Sequence, residues 1–252
     1  MAQLTDSTAR VLEYPMTATV ASLLSLERTA ETLDRAELEP TPEHCHRAAE
    51  ELAGQLNDLA PDRLGKTLGW EIRRWIDYLG ELAHRTGVDT QKVDRLRSLL
   101  EQLERRLQDD WDAYFQRLTQ DPWLSAYNRG SVDSGEEYRL GPVAWAILGP
   151  EGSARRLAQW REALAPLRTA SETGLRLMRD ALHRQTVDCP PQGYLLDLPS
   201  APASGLVQVA GLEGHIPQIQ WAETGGRLRF RQPEDLSPAS DTVQTTLGWF
   251  TL

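Results

Sequence analysis

The spacing of apolar residues changes once along this chain, at Pro190 and Pro191, and that change constrains the fold more than any other feature. Before the prolines, apolar residues recur at intervals of three and four, the period of α-helices; after them, they alternate with polar residues, as in β-strands. Helices and strands segregated along a chain are typical of α+β proteins. The sequence therefore predicts an α-helical bundle domain over residues 1–188, followed by a small antiparallel β domain over residues 189–252.

Prolines, glycines and capping residues divide the first part into helices. Residues 1–12 are predicted to be irregular, with Pro15 ending that segment. One predicted helix starts at Pro61 and is ended by Gly87. The others run over Met16–Leu33, Pro42–Leu59, Thr90–Leu118, Asp121–Tyr127, Ala154–Leu164 and Leu167–His183, with a turn over Gly149–Ser153 and a new helix or a kink at Pro166. The Thr90–Leu118 helix, capped by Asp89, carries a heptad-like apolar row. That row favours packing within a bundle and leaves a coiled-coil dimer as the alternative.

The second part predicts short strands separated by Gly, Pro, Ser and Asp clusters. The predicted strands are Tyr194–Leu198, Leu206–Ala210, Ile216–Trp221, Arg227–Arg231 and Val243–Phe250. Gly225 and Gly226 lie between two of them and predict a hairpin turn.

Charge and hydropathy exclude several classes of protein. The net charge of −10 and the pI near 5.1 argue against general nucleic-acid binding, which needs a basic surface. No apolar run approaches the roughly 20 residues that span a bilayer, so no membrane association is expected. The polar start of the chain lacks the apolar core of a signal peptide, and two cysteines form no disulfide framework. These features predict a cytoplasmic protein with reduced thiols.

The sequence offers no catalytic or metal-binding motif. No nucleophile elbow, phosphate-binding loop or zinc-protease motif is present. The run His44-Cys45-His46 resembles a metal site, but neighbouring helical residues point about 100° apart and do not converge on one ion. We therefore predict a protein that is not an enzyme and has no cofactor or metal.

One segment predicts a binding surface. If residues 227–231 form a strand, Arg227, Arg229 and Arg231 project from one face, whereas Leu228 and Phe230 enter the core. These arginines are the only cations after Asp188 other than histidine, and a row of like charges repels itself. The row therefore indicates a docking surface for an acidic partner. The alternative is neutralisation across strands by three nearby acids, namely Glu223, Glu234 and Asp235.

Four segments occur in the order found in a known family. They are Val11–Met16, Gly87–Asp89, Ile216–Ile219 and Arg227–Phe230. In this order, along nearly the whole chain, the sequence resembles the ZapD family, the Z-ring-associated proteins of bacterial cell division.

The resemblance implies a homodimer with a helical and a β-rich domain, acting at the mid-cell division site. It implies binding to the C-terminal tail of the tubulin-like division GTPase FtsZ, so that a dimer crosslinks and bundles filaments. Arg227, Arg229 and Arg231 occupy the family's basic strand, and Arg129 resembles a further family arginine. The alternative is a general helical interaction scaffold that does not depend on the FtsZ tail.

The chain departs from the family pattern at three places. Ser25 and Pro122 stand where the family has basic residues, and the segment at Trp145 lacks the family's histidine. These departures put in question how much of the family's binding surface this chain keeps.

Overall fold

The structure is a computed structural model that describes residues 11–58, 61–129, 141–198, 202, 204–210, 214–222 and 225–252. Of residues 57–58, 61–65, 109–114 and 128–129 only the backbone is described. The helices are α1 (Ala18–Leu38), α2 (Pro42–Asp58), α3 (Pro61–Ala83), α4 (Thr90–Thr119), α5 (Pro122–Arg129) and α6 (Pro142–Asp180). The strands are β1 (Val11–Pro15), β2 (His183–Cys189), β3 (Tyr194–Leu196), β4 (Gly205–Ala210), β5 (Ile216–Ala222), β6 (Gly225–Arg231) and β7 (Val243–Thr251). The predicted α+β class, with helices first and an antiparallel β part last, is confirmed.

The chain forms two compact units. One contains the chain up to Ala21 together with Arg176–Leu252, and the other contains Ser22–Leu175. Strand β1 lies on the N-terminal side of the division that the sequence predicts after residue 188, and strand β2 crosses that division.

Within the helical unit, α3 and α4 pack against each other. The side chain of Asp89 caps α4 as predicted, because its Oδ1 accepts a hydrogen bond from the Lys92 backbone N–H at 3.1 Å. Arg73 of α3 and Glu104 of α4 form an ion pair at 2.7 Å. The apolar row of α4 is buried at Val93, Leu100, Leu103 and Leu107. The heptad-like pattern thus serves packing within the chain, in agreement with the bundle prediction.

One glycine is required where α6 meets α3. A Cβ on Gly174 would lie 1.9 Å from Cη2 of Trp75, a side chain that is fully buried. Only a residue without a side chain allows the indole to approach α6 this closely.

Helix α6 corrects two predictions about its prolines. Its backbone departs from helical geometry only at Gly149, where φ is 76° and ψ is 169°. Pro150 follows and restarts the helix, because its fixed φ suits the first helical position. The predicted turn over Gly149–Ser153 is therefore reduced to one residue. Of the two alternatives predicted for Pro166, the new helix was wrong, since α6 continues through this residue and buries Leu164 and Leu167 on either side.

The β unit contains two antiparallel sheets, with strand orders β1-β4-β7-β2 and β3-β6-β5. Both contribute to one core, for example Val207 and Leu247 from the first sheet and Leu228 and Phe230 from the second. The irregular start predicted for the chain was wrong at Val11–Pro15, which is strand β1 and pairs with β4. The helix predicted to continue through His183 ends at Asp180, and β2 begins at His183. The hairpin predicted between residues 216–221 and 227–231 is confirmed, because β5 and β6 pair antiparallel. Its turn was placed wrongly, since Gly225 and Gly226 belong to β6, and the two residues that join the strands lie outside the described residues.

Two side chains of β1 form hydrogen bonds with other parts of the β unit. The Tyr14 hydroxyl donates a hydrogen bond to the Pro217 carbonyl of the other sheet. Glu13 binds Arg179 through two hydrogen bonds, of 2.8 and 2.6 Å, and accepts a third from Gln208 at 2.7 Å. Burial raises the pKa of Glu13, but these hydrogen bonds and the charge of Arg179 more than offset it, so the pKa falls below its ordinary value.

Candidate functional site

The predicted basic strand is β6, the central strand of its sheet. Leu228 and Phe230 are 0% and 3% exposed and belong to the core. Arg227 is exposed on the other face, with Arg229 and Arg231 half-buried beside it. The alternation predicted for residues 227–231 is thus confirmed, and the three arginines lie in one row.

The neighbours of the row across the sheet are neutral. In β5, Gln220 pairs with Arg227, Gln218 with Arg229 and Ile216 with Arg231. In β3, Leu195 pairs with Arg227. Residues opposite each other in an antiparallel pair share a face. No carboxylate therefore stands directly opposite an arginine of the row in either described strand.

Among the described residues, none of the acids proposed to neutralise the row forms an ion pair with it. Glu223 lies outside the described residues. Among the residues that are described, no carboxylate oxygen lies within 4.0 Å of a guanidinium nitrogen of the row. Asp235 instead accepts a 2.9 Å hydrogen bond from the Ser237 backbone N–H, which lowers the pKa of Asp235. The row is therefore a concentration of positive charge in a protein of net charge −10.

The three arginines differ in how many of their N–H donors already have a hydrogen-bond acceptor. Arg231 donates from Nε to Gln218 Oε1 at 3.1 Å and from a terminal nitrogen to the Leu236 carbonyl at 3.4 Å. The Nε of Arg229 is buried and has no acceptor among the described residues. A buried donor without an acceptor is costly, so the Nε of Arg229 is a local cost to the folded state.

Gly193 supports the row and was not recognised from the sequence. Its φ of +100° is a backbone conformation that is strained for any residue with a side chain. A Cβ at this position would lie 2.9 Å from Cγ of both Arg227 and Arg229. The aliphatic stems of the two arginines therefore lie against bare backbone. The only sequence signal for this role is a lone glycine just before a strand.

A groove opens at the Gly225 end of the row and was also not recognised from the sequence. It has a volume of about 560 Å³ and is lined by Leu195, Leu196, Asp197, Gln220, Trp221, Ala222, Gly225, Gly226 and Arg227. Leu195 is 65% exposed and Trp221 is 38% exposed. Leu195 pairs with Arg227 and shares the face of the row, whereas Trp221 pairs with Gly226 and lies on the opposite face of the sheet.

Arg129, the fourth predicted binding residue, ends α5 in the helical unit. Its backbone is described and its side chain is not. Its participation therefore stays a prediction.

The departures from the family pattern have local structural roles. Ser25 Oγ accepts a hydrogen bond from Gln55. Pro122 is the first residue of α5, and Asp121 before it caps the helix by accepting from the N–H groups of Trp123 and Leu124 at 2.9 and 3.1 Å.

Trp145 packs in the helical unit beside Tyr127. Its Nε1 donates to the Tyr127 hydroxyl at 2.9 Å, and that hydroxyl also lies 2.9 Å from His46 Nδ1. Burial, with smaller effects of neighbouring groups, raises the pKa of Tyr127 to about 12. Packing within the helical unit therefore explains these aromatic and polar contacts.

The described part of the chain forms no metal centre. Cys45 and Cys189 are free and buried, and burial raises the pKa of both thiols, which makes them poor nucleophiles. Within the described ranges, no cluster of histidine, cysteine and carboxylate side chains could hold a metal ion. The helices that are described contain no stretch both apolar enough and long enough to span a bilayer.

Comparison with known proteins assigns the family. Among curated proteins, no sequence matches this chain significantly. The sequence model of the ZapD family, described as a cell division protein, matches residues 24–220. This range includes Arg129 and Ile216–Ile219 and ends before Arg227. Because the match covers most of the chain, this protein belongs to the ZapD family of bacterial cell division proteins.

Proposed function

We propose that this protein binds the C-terminal tail of FtsZ through the β6 arginine row and, as a dimer, crosslinks and bundles FtsZ filaments at the mid-cell division site. Membership in a cell division family supports a partner within the division machinery. The tail, the dimer and the bundling are the parts that this proposal adds.

The observation that carries the proposal is an arginine row that has no carboxylate partner among the described residues. Three guanidinium groups on one strand have no described acidic partner, and Arg229 keeps a buried donor without an acceptor. Carboxylates on an extended, acidic segment would accept charge-assisted hydrogen bonds from the guanidinium nitrogens of the row that are accessible to solvent. A disordered tail loses conformational freedom when it binds, so we expect micromolar affinity that weakens with salt.

Bundling requires at least two tail sites in one particle. A homodimer supplies them, and once one tail is bound the second binds from a high local concentration. Crosslinking is therefore much stronger than a single tail contact would suggest. The alternative scaffold would use α4, but the apolar row of α4 is buried inside the chain. This burial favours the tail-docking proposal over a coiled coil formed by that row.

The proposal is tested by co-sedimentation with cognate FtsZ polymers, with and without the FtsZ tail. Replacement of Arg227, Arg229 and Arg231 by glutamate should abolish bundling and leave the dimer intact in size-exclusion chromatography. The matched control replaces three other exposed arginines on helices, Arg95, Arg106 and Arg155, which gives the same change of charge. The control should bundle far better than the β6 variant.

Two results would contradict the proposal. Equal pelleting with tailless FtsZ would rule out docking of the tail. Equal loss of bundling in the two triple variants would mean that total charge, and not the β6 row, controls the interaction.

A further inference from the structure

The strand beside the arginine row has one edge that pairs with no described strand. Strand β5 pairs with β6 along its other edge and is the outermost strand of its sheet. At Pro217 the outer edge is covered, because the Pro217 carbonyl accepts a hydrogen bond from the Tyr14 hydroxyl. We call the rest of the outer edge, residues 218–222, the β5 edge.

Two hydrogen bonds show which backbone groups of β5 point away from β6. In an antiparallel pair of strands, opposite residues alternate between pairs that bond to each other and pairs that do not. Pro217 has no N–H, and its carbonyl accepts from Tyr14. The residue opposite it is Phe230, whose carbonyl accepts from the Ala239 N–H at 2.9 Å. The pair of Pro217 and Phe230 is therefore not bonded across the two strands.

The β5 edge lacks the features that normally keep a strand edge from pairing. Because the pattern repeats every second residue, the N–H and C=O groups of Ile219 and Trp221 point away from β6. No described residue bonds to these groups. Natural sheets protect such edges with charged residues, prolines or bulges. Residues 218–222 contain no charged residue and no proline, and they pair one to one with β6. This edge can therefore accept a further strand.

The arginine row extends toward the same edge. Arg231 lies opposite Ile216, but its Nε donates to Gln218 Oε1 at 3.1 Å, so its side chain reaches across the face of β5. A strand added at the β5 edge would lie about 5 Å from β5 and about 10 Å from β6. Extended arginine and glutamate side chains together span that distance. Acids on an added strand would therefore meet the guanidinium groups above Gln218 and Gln220.

We propose that an extended acidic peptide adds to the β5 edge as a fourth strand, antiparallel to β5, with its acids on the face of the arginine row. This inference rests on the proposed docking to the row and specifies how the backbone of the ligand binds. Side chains alternate along a strand, so the peptide residues opposite Ile219 and Trp221 lie on the other face, where Ile219 packs against the core. The favoured ligand therefore alternates acidic with apolar residues.

The test uses a designed peptide, so it does not depend on FtsZ. A capped, fluorescent peptide of eight residues alternates valine with glutamate, and fluorescence anisotropy gives its Kd for the full-length protein. The valines opposite Ile219 and Trp221 donate their N–H groups to β5, whereas the N–H groups of the glutamates point to solvent. N-methylation of the two inner valines should weaken binding about thirtyfold, because two hydrogen bonds are lost. The matched control, N-methylation of the two inner glutamates, should change Kd by less than about threefold.

Variants of the protein locate the edge. Ile219→Pro removes an outward N–H and no bond to β6, so the unmethylated peptide should bind it about tenfold more weakly. The matched control is Ile219→Ala, which also loses the side chain but keeps the N–H, and it should bind within about threefold of the wild type. If Ile219→Pro abolishes the dimer and Ile219→Ala does not, the β5 edge joins two copies of this chain and the inference is overturned. The methylated peptides leave the protein unchanged, so they decide the question even if Ile219→Pro fails to fold.

The outcomes separate this inference from the proposed function. If the two methylated peptides bind wild-type protein with equal affinity, and the β6 glutamate variant binds no peptide, strand addition is overturned and docking to the arginines stands. If the unmethylated peptide binds the β6 glutamate variant as well as the wild type, or binds neither protein, both ideas are overturned.

Discussion

Removing the central charge of the β6 row should stabilise the protein while weakening its binding. Arg229 lies between Arg227 and Arg231 on one face, and its buried Nε has no acceptor among the described residues. Arg229→Met keeps most of the aliphatic stem that packs beside Gly193 and removes the charge and the donor. This change separates the electrostatic penalty of the row from its packing.

The magnitude follows from the spacing of the strand. Alternate residues are about 7 Å apart, so each neighbouring pair of charges repels by about 0.6 kcal/mol in water, and Arg229 has two such neighbours. Screening leaves about 1 kcal/mol of this repulsion at 10 mM salt and about 0.1 kcal/mol at 1 M. Relief of the unsatisfied donor should add about 1 kcal/mol at either salt concentration.

Native-state hydrogen exchange of the β6 amides, measured against urea at 10 mM and 1 M NaCl, reports the free energy of opening of this strand. We expect Arg229→Met to raise this free energy of opening by about 2 kcal/mol at low salt and about 1 kcal/mol at high salt. The same variant should bind the FtsZ tail about tenfold more weakly, because a charge-assisted contact is lost.

The matched variant is Arg231→Met. Arg231 has one neighbour in the row and already donates to Gln218 and to the Leu236 carbonyl, so its removal should not stabilise β6. If Arg229→Met instead lowers the free energy of opening, Arg229 has a stabilising partner in the native protein. The row would then be a neutralised surface and the argument for docking would be wrong.

Three further variants test the packing described above. Glu13→Gln should lower the stability of the β unit by about 1–2 kcal/mol at pH 7. Because the folded pKa of Glu13 is depressed, this difference should shrink as pH falls below the ordinary pKa of a glutamate and disappear below the lowered one, which urea denaturation at several pH values checks. Gly174→Ala should lower the melting temperature by several degrees through its collision with Trp75, whereas the matched Gly80→Ala, with open space around it, should not lower it. Tyr127→Phe should remove one tyrosine that ionises near pH 12 from an alkaline absorbance titration and destabilise the helical unit by about 1 kcal/mol.

Local chemistry made much of the fold predictable. Asp89 as a cap, Pro42 and Pro61 at helix starts and the alternation of residues 227–231 are all decided by neighbours in sequence, and the structure agrees with each. The arginine row is therefore predictable from the sequence alone. The absence of described carboxylates beside the row is not predictable from the sequence, because it depends on strand register.

The errors occurred where distant residues decide the local structure. Val11–Pro15 is a strand because β4 pairs with it, and that partner lies near the other end of the chain. Strand β2 buries only Val187 and Cys189, so it lacks the apolar alternation that identifies a strand. The groove depends on Trp221 lying over Gly226, which is a tertiary contact that no spacing rule reports.

The pairing of β1 with β4 has a consequence for synthesis of the protein. Roughly 190 residues separate the two strands, and at about 5–20 residues per second the ribosome needs about 10–40 s to make them. Throughout that time β1 has emerged without its partner. The helical unit, which is encoded between them, can fold first. The N-terminal strand must therefore remain soluble as an open edge, and the charge of Glu13 at its centre opposes premature pairing with other nascent chains.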